Sequence, residues 1–574
     1  MDRRTALATI VDAVHSDDDP LPQSSLISEF ANTAVPQVLR TAAGVEPYTG
    51  PWGAEERMHL LRRAMFGPAR PDIEASATMS MQQMVDLLLA TPTDEPSKPL
   101  NTNDRDVVPV GQTWVDAVYR DTVNNYTPTG TRKTSLRSWW LELMITQPIS
   151  IREKMVLFWH NHFVTEIDTV NDPRYSYRYL DILRRNALGN FKDMVRQITL
   201  DGAMLIYLNG NRNTRRSPNE NYARELQELF TIGKGPEVAQ GDYSNYTEND
   251  VKAAAKVLTG WKNQSNADGT IGDVTWTFDA AQHDTGDKQF SNRYQDRLIA
   301  GRLGDDGALE LDELLQMIFD QQETARYICR KLYRWFVYYL IDEATEASVI
   351  APMADLLRSN NYEVKPVVEL LLKSAHFYDP VNRGCSIKSP LDFTVGMARQ
   401  FALAFPAGQV QKYTMLNYLI SQASGMQQYL GDPPDVAGWS AYYQVPQFYE
   451  IWINSDTLPR RKSLSDRLAG SGYRTGGETL VIDPIALARS ISGSDDPNTL
   501  IDEACRLFYP IPVTSLQKDF FKNALIPGLP DYEWTVEWAE YLADPGDMTK
   551  ESAVAAKLKG LISTMLSMPE YQLQ

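Results

Sequence analysis

The chain has 574 residues, 43% hydrophobic and 23% charged, with 33 Gly, 33 Pro and a formal net charge of −18. Those proportions exclude collagen-like, low-complexity and disordered chains. The excess of 74 acidic over 56 basic residues argues against nucleic acid and anionic lipid as partners.

Length alone suggests about three to five domains. Residues 1–50 are rich in Ser, Asp, Pro and Thr and end in TGPWG, which predicts a flexible N-terminal arm. Its start, MDRRTALATIVDAVHSDDD, has the head of a twin-arginine signal at Arg3-Arg4. The apolar stretch stops at Asp12, short of the roughly 7–15 residues such a signal carries. From Glu55 onward the apolar period is mostly helical, with segments at Ser135–Gln147, Ile151–Phe163, Phe191–Leu200, Pro218–Ile232, Glu248–Trp261, Thr324–Ile341, Val364–Ala375 and Pro390–Phe405. Val274–Phe278 alternates with period two after Gly269 and Gly272 and predicts a small hairpin. No apolar run reaches the roughly 18–20 residues of a membrane helix. Cys329, Cys385 and Cys505 are too few and too scattered for a disulfide framework or a thiolate zinc site.

The Gly/Ser/Thr-rich stretch Gly470–Thr479 separates a helical core, 51–470, from a helical C-terminal extension, 471–574. The predicted fold is mainly α: a large irregular multi-helix domain with one small β-hairpin and that extension.

Ordered motifs run through the core: HLLRRAMFGP (59–68), REKMVLFWHNHF (152–163), ALGNF (187–191), SPNENYARELQELFTIG (217–233) and TENDVKAAAKVLTGW (247–261). HDTGDKQF (283–290), ARYICRKLYRWFV (325–337), KSPLDFTVG (388–396) and PPDVAGW (433–439) follow. Over roughly residues 55–465 this series resembles the bacterial family catalogued as domain of unknown function 1800. The resemblance implies a largely helical protein, exported to the periplasm, cell surface or medium, and a partner resembling sulfatases or phosphatases. The stunted signal favours the cytoplasm as the alternative location. No activity comes with the resemblance, and whether the chain is an enzyme stays open.

Four clusters carry candidate chemistry. His160 and His162 in WHNHF share a face only if the backbone is extended; on a helix, positions two apart diverge. Helical geometry makes His162 a buried residue of the apolar face and His160 a rim residue, whereas an extended turn makes both metal ligands. In the second cluster, Ser217 as N-cap, Pro218 at N1 and Glu220 at N3 predict a capping box. Beyond it Glu225 and Glu228, three apart, are candidate metal ligands of the kind that helical bundles use, although the E-x-x-H pair of di-iron bundles is absent. A solvated face with a salt bridge to Arg224 is the plainer alternative.

Third, His283-Asp284 sits in a loop with Asp279 and Asp287, where Asp beside His suits general-base work or a hard cation. A turn held by Asx hydrogen bonds is the alternative. Fourth, Asn209, Asn211, Arg212, Arg215, Arg216 and Asn219 lead into a helix N-terminus, a setting for an anion or for sugar hydroxyls. The arginines pairing with the protein's own carboxylates is the competing account. The site hypothesis brings His160, His162, Glu225, Glu228 and His283 around a divalent metal ion, with His160, His283, Asp284 and Glu225 as catalytic groups. Its alternative is a non-catalytic binding or accessory protein for a sulfatase-like partner or a glycan.

Overall fold

In the computed structural model, residues 43–90, 95–119 and 125–574 are described. The Arg3-Arg4 segment and most of the proposed N-terminal arm lie outside them. The fold is mainly helical. Its principal helices are α1 (Ala54–Ala64), α2 (Thr129–Thr146), α3 (Arg152–His162), α4 (Pro173–Arg185), α5 (Phe191–Leu200), α6 (Asn221–Glu225) and α7 (Glu248–Val257). They continue with α8 (Gln322–Phe336), α9 (Pro390–Gln400), α10 (Gln409–Gly425), α11 (Thr457–Ala469), α12 (Pro497–Phe508) and α13 (Met548–Leu566). No helix among the described residues is long and apolar enough to cross a membrane.

Helices α3 and α9 are buried around nearly their whole circumference, which a helix tolerates only when its polar residues find partners inside. They do. Glu153 of α3 accepts two hydrogen bonds from Arg184 of α4, both at 2.9 Å, and Lys154 of α3 pairs with Asp392 of α9. Helix α9 begins as its sequence dictates: Ser389 accepts from the Asp392 amide at 3.1 Å, and Pro390 occupies N1. Helices α9 and α10 both pack on α2, and α3 packs on α4. The motif series 152–163 and 388–396 therefore forms the centre of the molecule.

Strands are confined to four two-stranded antiparallel sheets among the described residues, where one hairpin was expected. They are β1 (Glu237–Ala239) with β2 (Asp242–Tyr243), β3 (Trp261–Asn263) with β4 (Trp276–Phe278), β5 (Lys288–Gln289) with β6 (Leu298–Ile299), and β7 (Tyr473–Thr475) with β8 (Glu478–Leu480). The predicted 274–278 strand is β4, shortened, and its partner β3 comes from the end of a segment expected to stay helical. The stretch 470–479 holds the β7–β8 hairpin. Gly476 and Gly477 turn it at φ +56° and +84°, the left-handed pair that a two-residue hairpin loop requires.

The C-terminal helices lie against the core. Helix α13 packs on α11, the Lys388 amide donates to Gln572 O at 2.8 Å, and Arg461 Nη2 donates to Lys388 O at 2.8 Å. Arg62 of α1 reaches Arg506 O of α12 at 2.6 Å.

Candidate functional site

Helix α3 ends at His162, so the WHNHF motif is helical through both histidines and they point to different surroundings. His160 is 1% exposed. Trp140, Tyr179 and Trp439 surround it at ring distances of 5.2, 5.8 and 6.1 Å. Neither ring nitrogen meets a hydrogen-bond partner among the described residues, and burial pushes its pKa down to about 3. It is a neutral ring in an aromatic cage, with no carboxylate of the described residues paired to it, and the rim position expected for it is replaced by the interior.

His162 Nε2 lies 3.0 Å from Phe230 O, and Nδ1 lies 3.1 Å from Lys331 Nζ. A carbonyl can only accept, so Nε2 carries the proton and Nδ1 offers its lone pair to the lysine. Both nitrogens are thus engaged, and a metal would have to displace Lys331.

Phe230 belongs to an unexpected element. The predicted helix 218–232 begins at Asn221 instead, where Asn219 Oδ1 accepts from the Asn221 amide at 2.9 Å. Ser217 closes a turn with Thr214 and caps nothing. After α6 the backbone widens into a π-helical turn, Leu226–Thr231. Such turns recur at functional sites. Its last carbonyls are taken from the side: Leu229 O accepts from Tyr327 Oη at 3.1 Å and from Lys331 Nζ at 3.2 Å. The Lys331 ammonium has no carboxylate partner among the described residues, and burial, aided by Arg334, pushes its pKa down to about 7.

The same turn presents Glu225 and Glu228. Glu228 accepts from Tyr246 Oη at 2.6 Å and lies 3.5 Å from Lys234 Nζ. Glu225 is half-buried and has no hydrogen bond or ion pair to another described residue. Burial first, then the like charge of Glu228, pushes its pKa up to about 7, and Asp435 adds to the effect. The expected salt bridge on this face goes past Glu225: Arg224 pairs with Glu220 at 3.3 Å and with Glu248 at 2.5 Å.

Asp435 arrives on the loop 430–439, fixed to α2 and α3. Arg137 Nε donates to Leu430 O at 3.0 Å, and the Trp439 amide donates to Asn161 Oδ1 at 2.9 Å. Gly438 stands at φ +99°, and a Cβ there would sit 2.6 Å from Asn161 O, so only glycine lets the loop lie this close. Tyr207 Oη donates to Glu166 at 3.1 Å, and its ionisation is pushed up by burial, then by Glu166, Asp435 and Asp432. Four motifs widely separated in sequence thus adjoin one another: HNHF, the Glu225 helix, the Lys331 helix and PPDVAGW. Lys331, Tyr327, Tyr207, Glu166 and Asp435 were not singled out from the sequence. A lysine at i,i+4 from a tyrosine within the apolar run of α8 was the available signal.

His283 is elsewhere. It is 0% exposed, with Nδ1 2.9 Å from Thr259 O and Nε2 3.2 Å from Glu310 Oε1. Glu310 also holds Lys288 at 2.5 Å. The Asp284 amide donates to the Thr259 hydroxyl oxygen at 2.7 Å, and Asp284 Oδ1 accepts from the Gly286 amide at 3.0 Å. This is a closed turn fastened to the end of α7, as the Asx alternative has it. The convergence of His160, His162, Glu225, Glu228 and His283 on one ion is not found. Among the described residues no group of three or more His, Cys, Asp or Glu side chains could hold a metal.

In the fourth cluster Asn213 is the anchor, donating to Ala255 O at 2.8 Å and accepting from the Asn219 amide at 2.9 Å. Asn209 sits in the left-handed region at φ +58°, and Asn211 donates to Asn263 at 2.8 Å. Arg212, Arg215 and Arg216 are exposed, and no hydrogen bond or ion pair joins their guanidinium groups to another described residue. No carboxylate among the described residues neutralises them.

A family model described as "Protein of unknown function (DUF1800)" matches residues 59–573. No curated protein and no solved structure matches the chain.

Proposed function

The chain belongs to this family across nearly its whole length, and from its site we propose that it acts by proton transfer on a neutral, hydroxyl-rich ligand, a glycan. The carrying observation is Glu225, a half-buried carboxyl without a hydrogen-bond or ion-pair partner among the described residues, whose pKa is raised to about 7. A carboxyl that holds its proton near neutrality, beside a second carboxyl already engaged by Tyr246 and Lys234, suits a proton donor. Tyr207, partly exposed, adds a hydroxyl, and the carboxylates Glu166, Asp435 and Asp432 around it disfavour an anion, which favours a neutral polyhydroxyl ligand such as a sugar. Glu225 is the proposed proton donor. His160, His162, His283 and Asp284 have no catalytic part in this reading, and no step passes through a metal.

The test is a panel of neutral oligosaccharides, with binding followed by saturation-transfer NMR and cleavage by release of reducing ends. One member is expected to bind and turn over, with a pH profile governed by a group near 7. Glu225→Gln is expected to lose about 10²-fold of turnover while binding changes little. Equal turnover by the variant, or no binding across the panel, contradicts the proposal.

A second reading rests on the unpaired Arg212, Arg215 and Arg216: an anionic partner or ligand docks on that loop. An envelope location and a sulfatase-like partner stand beside both readings as proposals carried by the family resemblance.

A further inference from the structure

A cavity of about 450 Å³ lies between α1, the 380–383 turn and the Pro-rich segment Tyr509–Val513 that follows α12. It shares no lining residue with the Glu225 site. Its size is within the range of small-molecule sites. Much of its wall is apolar, from Met58, Tyr509, Pro510, Ile511 and Val513. The acidic groups at its edge are already paired: Glu55 with Arg383 at 3.0 Å and Asp502 with Lys518 at 2.8 Å.

Arg62 differs. Its residue is 7% exposed and its side chain lines the cavity. Nη2 caps the C-terminal end of α12, donating to Arg506 O at 2.6 Å and Leu507 O at 3.2 Å. Nε is buried with no hydrogen-bond partner among the described residues. No carboxylate among the described residues pairs with this guanidinium, and burial lowers its pKa only to about 10, so it remains charged. The helix end takes Nη2, whereas Nη1 makes no hydrogen bond or ion pair to another described residue, and the side chain lines the cavity. A buried cation with a spare donor and no carboxylate partner among the described residues, in a cavity whose two carboxylates are already paired and much of whose wall is apolar, selects a ligand with one anionic head and an apolar body.

We propose that this cavity binds an amphiphilic monoanion, a carboxylate carrying an apolar chain, with its head on Arg62 and its chain along Ile511 and Val513. The probe is octanoate, titrated calorimetrically into the full chain, with octanol and octylammonium as controls. Octanoate is expected to saturate one site, with both controls at least tenfold weaker. Arg62→Gln is expected to bring octanoate down to the affinity of octanol. Because that variant disturbs the α12 cap, Ile511→Glu serves as the second: it places a carboxylate at the partly exposed lip. It is expected to weaken octanoate at least tenfold with an unchanged melting temperature. Octanol binding as tightly as octanoate, no octanoate binding at millimolar concentration, or full affinity in Ile511→Glu would each overturn the proposal.

Discussion

Lys331 holds its ammonium against His162 Nδ1 and the Leu229 carbonyl and against no carboxylate of the described residues. A cation at a helix C-terminus is favourable, yet burial outweighs it and the proton leaves near pH 7 in the folded chain, against 10.5 for an ordinary lysine. Between those two values the unfolded chain binds more protons than the folded one, so stability from this residue rises with pH across that window and is lowest below it. Lys331→Met removes the titration and leaves His162 Nδ1 unpaired, a loss of about 1–3 kcal/mol. The stability difference between wild type and Lys331→Met, read from urea unfolding, is expected to widen in favour of wild type from pH 7 to pH 9.5. A difference that stays constant would place the lysine proton elsewhere. Glu225 is the complementary case: a carboxyl that keeps its proton because burial and Glu228 disfavour its charge.

Among the elements, the strongly periodic helices were the most legible. Phe191–Leu200 matches its predicted span, and Val364–Ala375 stops only three residues early. The 324–341 segment ends at Phe336 because Arg63 of α1 takes the Phe336 and Val337 carbonyls at 2.8 and 2.9 Å, a long-range cap invisible to local pattern. The Glu225 helix misled at its start, since S-P-N-E carries every local sign of a capping box while Thr214 draws Ser217 into a turn. Its π-helical end had no sequence sign, because the widening is supported by Tyr327, Lys331 and His162 from other helices. Site residues followed the same division: Glu225 could be suspected from its spacing, whereas Lys331 and Asp435 gain their meaning only through tertiary neighbours. In the 209–219 loop the Asn213 anchor holds three arginines outward. Wild type is therefore expected to be retained on immobilised heparin at low salt despite its net charge of −18, with retention falling as salt rises. The triple variant Arg212→Gln/Arg215→Gln/Arg216→Gln is expected to flow through. Equal elution of the two would remove the anion-docking reading of this loop.

At the scale of the whole molecule, motifs hundreds of residues apart build one centre. Helix α3 supplies Asn161 to the 430–439 loop and His162 to the π-helical turn, while its own charges pair with α4 and α9. The C-terminal helices close on that centre through Lys388, Arg461 and Arg62, in keeping with a family match that runs to residue 573. The acidic surplus has a local counterpart in the carboxylates gathered near Tyr207 and Glu225. What that gathering does to Glu225 is directly measurable. In protein carrying ¹³C-labelled glutamate carboxyls, with Glu225→Gln to assign the signal, the Glu225 resonance is expected to titrate with a midpoint near 7. The midpoint is expected to move down in Glu228→Gln. A midpoint at the ordinary value of 4.5, unmoved by Glu228→Gln, would contradict the proposed role of Glu225 as proton donor.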